Sequence, residues 1–263
     1  MNTIDVYKQL PGKNCGECPQ NTCMAFALAI VKGEADPSEC PYVSEETRKV
    51  LSEAKGEDWR EKLIGELKDA LSRIDVFENA RRVGATVEDG TIRIKCLGMD
   101  YTVSPEGDIS TNAYINPWIK ILLLHYIKTG GIGEPAEDWV SFSELKSGMV
   151  KTESFRRDCE EPLKELLDTD FEKTSRAMMM LGARETTSGV ADVAWIMKPL
   201  PRVPMLILYW RRNEEDPVAG DSRVRILFDK TADRYLDVES LIFLVEGMVH
   251  LLEHFLTMGN KRG

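Results

Sequence analysis

Several things are missing from this chain, and each absence narrows what it can do. It has no G-x-S-x-G nucleophile elbow, no phosphate-binding loop and no dinucleotide fingerprint. The run Gly130-Gly131-Ile132-Gly133 follows an expected helix, which is the wrong order for a nucleotide site. An excess of basic charge is missing too: 34 Lys and Arg stand against 44 Asp and Glu, a net charge of -10. Nucleic-acid binding depends on basic patches meeting phosphate, so DNA and RNA are poor partners for it. The opening residues, Met1 to Gln9, lack the apolar core of a secretory signal. The longest apolar helix expected, Ile115 to Ile127, is too short to span a bilayer and contains Asn116, Pro117, Lys120 and His125. The expectation is a cytoplasmic protein with no membrane partner, of undetermined oligomeric state.

What the chain does have is cysteine, unevenly placed. Cys15, Cys18, Cys23 and Cys40 follow a C-x2-C-x4-C-x16-C spacing, whereas Cys96 and Cys159 lie far apart. Thiolates are soft ligands, so four of them select zinc or an iron-sulfur cluster over magnesium or calcium. A four-cysteine zinc site is usually two separated C-x2-4-C knuckles. Here one knuckle is followed by a single Cys23 and then by Cys40-Pro41. Three clustered cysteines with a remote fourth before proline is a common 4Fe-4S arrangement. A structural zinc knob is the other occupant such thiols accommodate. A disulfide framework does not suit a chain with no secretory features.

The surrounding residues support a cluster loop. Gly12 and Gly16 allow sharp turns through positive φ. Asn21 or Thr22 can cap a helix starting at Cys23, which places that thiolate at the positive end of the helix dipole. The helix, Cys23 to Lys32, is almost wholly apolar and can shield a cluster from water, and Gly33 suits its end.

The run Leu10-Pro11-Gly12-x-Asn14-Cys15-Gly16-x-Cys18-x4-Cys23-x-Ala25-Phe26-Ala27, with Gly33-Glu34 and Cys40-Pro41, carries a family resemblance. It resembles the small 4Fe-4S domain that opens the large subunit of the corrinoid iron-sulfur protein, the gamma subunit of acetyl-CoA decarbonylase/synthase. The likeness covers about the first sixth of the chain. It implies Cys15, Cys18, Cys23 and Cys40 as cluster ligands and low-potential, one-electron chemistry with a redox partner protein or cofactor. It does not carry the corrinoid over, because the family's barrel and cobalamin domains do not fit in the rest of the chain and no Asp-x-His-x-x-Gly motif is present.

Beyond Cys40 the chain is strongly charged as far as Ile74. Ser44, Thr47 and Val50 mark one helix start, and Asp58 to Leu67 continues with Leu63, Ile64, Leu67, Leu71 and Ile74 on one face. Gly56 is the expected joint. From Gly84 the period changes to two: Ala85 to Cys96 alternates around Asp89-Gly90, a hairpin signal, and Met99 to Val103 gives a third strand. Cys96 reads as a packing residue. Helices are expected from Asn116 to Ile127, from Phe155 to Leu167 and from Phe171 to Met180, with a short extended piece at Trp139 to Phe142. Met178-Met179-Met180 reads as adaptable core filler. Strands are expected at Val190 to Ile196, Met205 to Arg212 and Val224 to Asp229, antiparallel, with the prolines among residues 199–204 at the sheet margin. A terminal helix beginning at Asp237 runs through Leu241, Leu244, Met248, Leu251 and Phe255. This later part resembles an uncharacterised domain family of anaerobes, on Leu200-Pro201-Arg202-Val203-Pro204, Tyr209-Trp210 and Ile226-Leu227-Phe228-Asp229.

His250-Leu251-Leu252-Glu253-His254 matches the H-x-x-E-H pattern of a zinc peptidase helix. That chemistry needs a downstream acidic ligand, and no Asp or Glu follows His254, so a polar helix face is expected instead.

The sequence therefore predicts an α+β chain. A small helical, loop-rich 4Fe-4S module occupies 1–43, a charged helical linker 44–80, and a mixed domain with an antiparallel sheet and flanking helices 81–263. The expected role is low-potential electron transfer or redox support in anaerobic metabolism. A corrinoid or metallocofactor accessory protein, and a structural four-cysteine module, are the alternatives. Nothing nominates catalytic residues.

Overall fold

The computed structural model describes residues 2–54, 59–112, 115–212 and 221–259. It divides into two compact units, Met1–Glu66 and Leu67–Gly263.

The first unit is helical. Helix α1, Thr3–Gln9, starts with a reciprocal cap: Asp5 N–H donates to Asn2 Oδ1 and Asn2 N–H to the Asp5 carboxylate. Helix α2, Cys23–Val31, starts with Thr22 Oγ1 accepting from Ala25 N–H and ends before Gly33 at φ +76°. A 3-10 turn at Pro37–Glu39 leads to Cys40 and then to α3, Glu45–Ala54. Val6, Leu10, Phe26, Ala27, Ile30 and Leu51 form the core, and Cys23 and Cys40 are part of it. Helix α4 spans Trp59–Leu71. Ile64, Leu67 and Leu71 are buried, whereas Ile74 lies beyond the helix end and is exposed. Gly56 and Asp58 lie outside the described residues.

In the second unit, helix α5 at Val76–Arg82 precedes an antiparallel sheet of β1 Thr86–Glu88, β2 Thr91–Cys96, β3 Met99–Val103 and β4 Ile109–Ser110, in that spatial order. Asp89 and Gly90 both take positive φ, as the expected tight hairpin requires. Helix α6, Pro117–Thr129, is capped by Asn116 and stopped by Gly130 at φ +68°. A second antiparallel sheet consists of β5 Trp139–Ser141, β6 Arg184–Thr186, β7 Val193–Leu200, β8 Val203–Trp210 and β9 Arg223–Asp229, ordered β5-β9-β8-β7-β6. Helices α7 Gly148–Phe155, α8 Glu161–Thr169, α9 Phe171–Met180 and α10 Val238–Gly259 complete the unit. Stacked Phe142 and Phe155, tilted against Phe228 of β9, form one part of the core. The fold class is α+β with antiparallel sheets, as the sequence led us to expect.

Several expectations are corrected. The helix expected over Phe155–Leu167 is two helices, α7 and α8, joined by a π turn at Arg156–Glu160. Pro162, with no N–H to donate, falls in the first turn of α8, where such an amide has no helical partner anyway. Of the three methionines only Met178 is core; Met179 and Met180 are exposed. Pro199 and Pro204 lie in β7 and β8, inside the sheet and not at its margin. They flank the hairpin end, where the β7–β8 register shifts between Met197 and Leu200, so a missing amide interrupts little of the ladder. The longest apolar helix is α10: its Val238–Thr257 stretch has a mean hydropathy of 1.3 and the length to cross a membrane. Leu241, Leu244, Val245, Met248 and Leu252 of that helix are buried within the protein, as on a core-facing stripe. Strands β4 and β6 have no counterpart in the sequence reading, and helix α5 is covered there only by the charged helical linker expected over 44–80.

Candidate iron-sulfur site

The site begins with a loop whose backbone turns left-handed three times. Gly12, Asn14 and Gly16 have φ of +66°, +47° and +71°. Asparagine is among the few non-glycine residues that visit this region readily. Asn14 also uses its side chain: Oδ1 accepts Cys23 N–H at 2.8 Å. That bond ties the loop carrying Cys15 and Cys18 to the first residue of α2. A Cβ at Gly12 or Gly16 would meet nothing within 4 Å, so these glycines serve the turn and not a close approach.

A second set of contacts brings in the Cys40 segment. Tyr42 Oη donates to Glu17 Oε1 at 2.7 Å, and Lys13 Nζ lies 3.9 Å from the centre of the Tyr42 ring. From α3, Arg48 Nη2 donates to the Cys40 carbonyl at 3.3 Å. The fourth cysteine, remote in sequence, is thus held against the three-cysteine loop.

All four thiols are free; Cys15 is exposed, Cys18 half-buried, and Cys23 and Cys40 buried. Burial pushes the Cys18 thiol up to about 11, assisted by its hydrogen bond with Cys40 and by the charges of Cys40, Cys15 and Cys23. The other three predicted residues are thus all near enough to act on Cys18. Among the described residues, no three His, Cys, Asp or Glu side chains form a group that could hold a metal ion, so the sulfurs are neighbours without forming a closed cage. Their donor chemistry, four soft sulfurs that charge together only against a cationic centre, fits an iron-sulfur group. Two buried polar atoms of the same module, Gln20 Oε1 and Arg48 Nε, have no hydrogen-bond partner among the described residues.

The other sequence candidates separate from this site. Cys96 and Cys159 are buried packing residues; burial pushes the Cys96 thiol up to about 12 and raises that of Cys159. His250 and His254 are exposed on α10, His250 Nδ1 lies 2.8 Å from the Glu246 carbonyl, and no third ligand joins them among the described residues. A cleft of about 700 Å³ in the second unit is lined by His125, Lys146, Lys151, Asp233, Asp237 and Glu239. Its acids are already engaged: Asp233 accepts Lys146 N–H, Asp237 accepts Ser240 N–H, and Glu239 pairs with Lys151 at 3.0 Å.

The sequence reading missed Tyr42, Arg48 and Gln20, and did not see the role of Asn14. The Asn14 signal was its place between two glycines. Arg48 carried none, being one basic residue in a charged helix.

Comparisons with known proteins bear on both units. A family model described as "Putative Fe-S cluster" matches residues 10–42, and one described as "Domain of unknown function (DUF3786)" matches residues 75–251. The corrinoid/iron-sulfur protein large subunit of Moorella thermoacetica is 48% identical over 54 residues, 20% of this chain and 12% of the relative. The acetyl-CoA decarbonylase/synthase complex subunit gamma of Methanopyrus kandleri is 41% identical over 66 residues, 25% of this chain and 14% of the relative. The same subunit of Methanothermobacter thermautotrophicus is 39% identical over 51 residues, 19% and 11% of the two chains. These likenesses therefore span only about an eighth of each relative. No solved structure matches the chain. The N-terminal module is of an iron-sulfur type.

Proposed function

The chain belongs to the DUF3786 family, and from that premise we propose that it is a 4Fe-4S protein for low-potential, one-electron transfer or redox support in anaerobic metabolism. The observation that carries this reading is that hydrogen bonds tie the loop of Cys15 and Cys18 to Cys23 and to the Cys40 segment, through Asn14–Cys23 and Tyr42–Glu17, within a module that matches an iron-sulfur model. Those four residues hold the cluster. When bound, a 4Fe-4S group supplies a one-electron couple at low potential. The chain's own part is to gather the thiolates, turn the loop at Gly12, Asn14 and Gly16, and cover one side with the apolar helix α2. The partner is a redox protein or complex that exchanges electrons with this module. Subunits of the acetyl-CoA decarbonylase/synthase complex among the relatives support a partner of that kind. A cytoplasmic, reducing environment suits exposed Cys15 and half-buried Cys18.

A second reading, a corrinoid accessory protein, is favoured by the name of the Moorella relative and disfavoured by the missing Asp-x-His-x-x-Gly motif. Cobalamin added to the purified protein separates the two, since only the second reading expects it to bind.

The reading is tested by counting iron and acid-labile sulfide per chain after anaerobic purification. About four of each are expected. Cys23→Ser and Cys40→Ser should each cut the content by more than half. Cys96→Ser and Cys159→Ser should leave it unchanged. Stoichiometric zinc without sulfide, persisting after reconstitution, would contradict the proposal.

A further inference from the structure

Arg48 occupies an unusual position for a basic residue of a charged helix. One arm of its guanidinium, Nη2, donates to the Cys40 carbonyl, and the other, Nη1, stands 3.8 Å from Glu45 Oε2. Its Nε–H is buried and has no partner among the described residues. A buried donor without an acceptor is destabilising, and native proteins keep few of them. Among the described residues its acidic partner is Glu45, and at 3.8 Å the pair with that largely exposed carboxylate contributes little to balancing the charge. Both features point to an acceptor and a negative charge that belong beside Cys40.

An iron-sulfur group held by four thiolates supplies both. We infer that Arg48 is a positioning residue of the cluster site, whose guanidinium compensates the anionic charge and gives its Nε–H to a sulfur there. The inference rests on the reading that Cys15, Cys18, Cys23 and Cys40 hold a cluster. Arg48 lies outside the 10–42 stretch that the iron-sulfur model matches, so that match does not assign it. Arginine suits the task because it stays charged, is weakly hydrated and presents planar, fixed N–H directions. Groups beyond the ligands orient a metal site and tune it. Hydrogen bonds to sulfur and local net charge are among the terms that set a cluster's potential, and a nearby cation favours the reduced, more negative form.

The test compares wild type, Arg48→Lys and Arg48→Gln after anaerobic reconstitution. Circular dichroism, iron and sulfide content, and the midpoint potential from an EPR-monitored titration are read for each. In Arg48→Gln the reduced-to-oxidised ratio at a given potential should fall about tenfold, a shift of ~59 mV to more negative values for one electron. Arg48→Lys keeps the charge but not the fork, and should fall between the two. Loss of the cluster from a folded Arg48→Gln, with Arg48→Lys still loaded, also supports the role. Unchanged potential in a fully loaded Arg48→Gln overturns it, as does loss of fold in Arg48→Gln or loss of the cluster from both variants. If wild type itself takes up no iron and sulfide, the underlying cluster reading fails instead, so the two failures are distinct.

Discussion

Asn14 makes two contributions that can be separated by substitution. It holds φ +47° and it gives Cys23 N–H an acceptor. Alanine removes the acceptor and incurs the left-handed penalty, roughly 1–2 kcal/mol. The unpaired Cys23 amide costs about 1 kcal/mol or more. Glycine removes only the acceptor. In denaturant unfolding of the metal-free protein, Asn14→Ala should therefore be the less stable variant, by ~2 kcal/mol relative to wild type, with Asn14→Gly between. Equal stability of the two variants would show that the left-handed backbone contributes nothing. At this scale the sequence shows ligands well and their supports poorly. Cysteine spacing is a local pattern, so Cys15, Cys18, Cys23 and Cys40 could be picked out directly. The Tyr42–Glu17 bond joins residues 25 apart and the Arg48–Cys40 bond uses a backbone carbonyl, and neither leaves a pattern in the chain.

Among the elements, β9 ends in a buried charge that organises its neighbours. Asp229 is fully buried, and its carboxylate accepts Thr231 N–H at 2.9 Å, Thr231 Oγ1–H at 2.6 Å and Glu137 N–H at 2.6 Å. Burial alone would raise its pKa; the hydrogen bonds from the Thr231 hydroxyl and from the Thr231, Glu137 and Ala136 amides outweigh it and hold the carboxyl below its usual range. A carboxyl whose folded pKa is depressed stabilises the fold above its unfolded pKa of about 3.9, and that stabilisation is lost as pH falls through the lower folded value. Wild type should thus lose stability below about pH 4 faster than Asp229→Asn, while at pH 7 Asp229→Asn should be less stable by ~1.5–3 kcal/mol, the range for a hydrogen bond to a charged group. Thermal melts at pH 3 and pH 7 check both signs. A pH-independent difference would remove the charge from this account. The sequence showed β1 to β3, because tight hairpins are local, and it showed the strand ending at Asp229. It did not show that β5 pairs with β9, with Trp139 opposite Asp229, since that pairing closes a loop of some ninety residues. The π turn at Arg156–Glu160 was hidden for another reason: an amphipathic pattern on either side reads as one continuous helix.

For the whole molecule, the change from a cysteine-rich, apolar opening to a charged stretch and then to alternating strands is what suggests a small opening module, a charged linker and a larger mixed domain. The match of residues 75–251 to a family of unknown function names the larger module, and the cleft there presents engaged acids together with His125, whose Nδ1 lies 3.1 Å from Ser240 Oγ. The central claim concerns the first unit, where four cysteines are proposed to hold a redox-active cluster. Low-temperature EPR on one anaerobic sample, before and after dithionite, tests this most directly. The account predicts a silent oxidised sample, an S = 1/2 signal of close to one spin per chain on reduction, and a return to silence on mild reoxidation. A protein that carries iron and sulfide yet gives the same spectrum before and after dithionite would contradict electron transfer and leave the cluster a structural role.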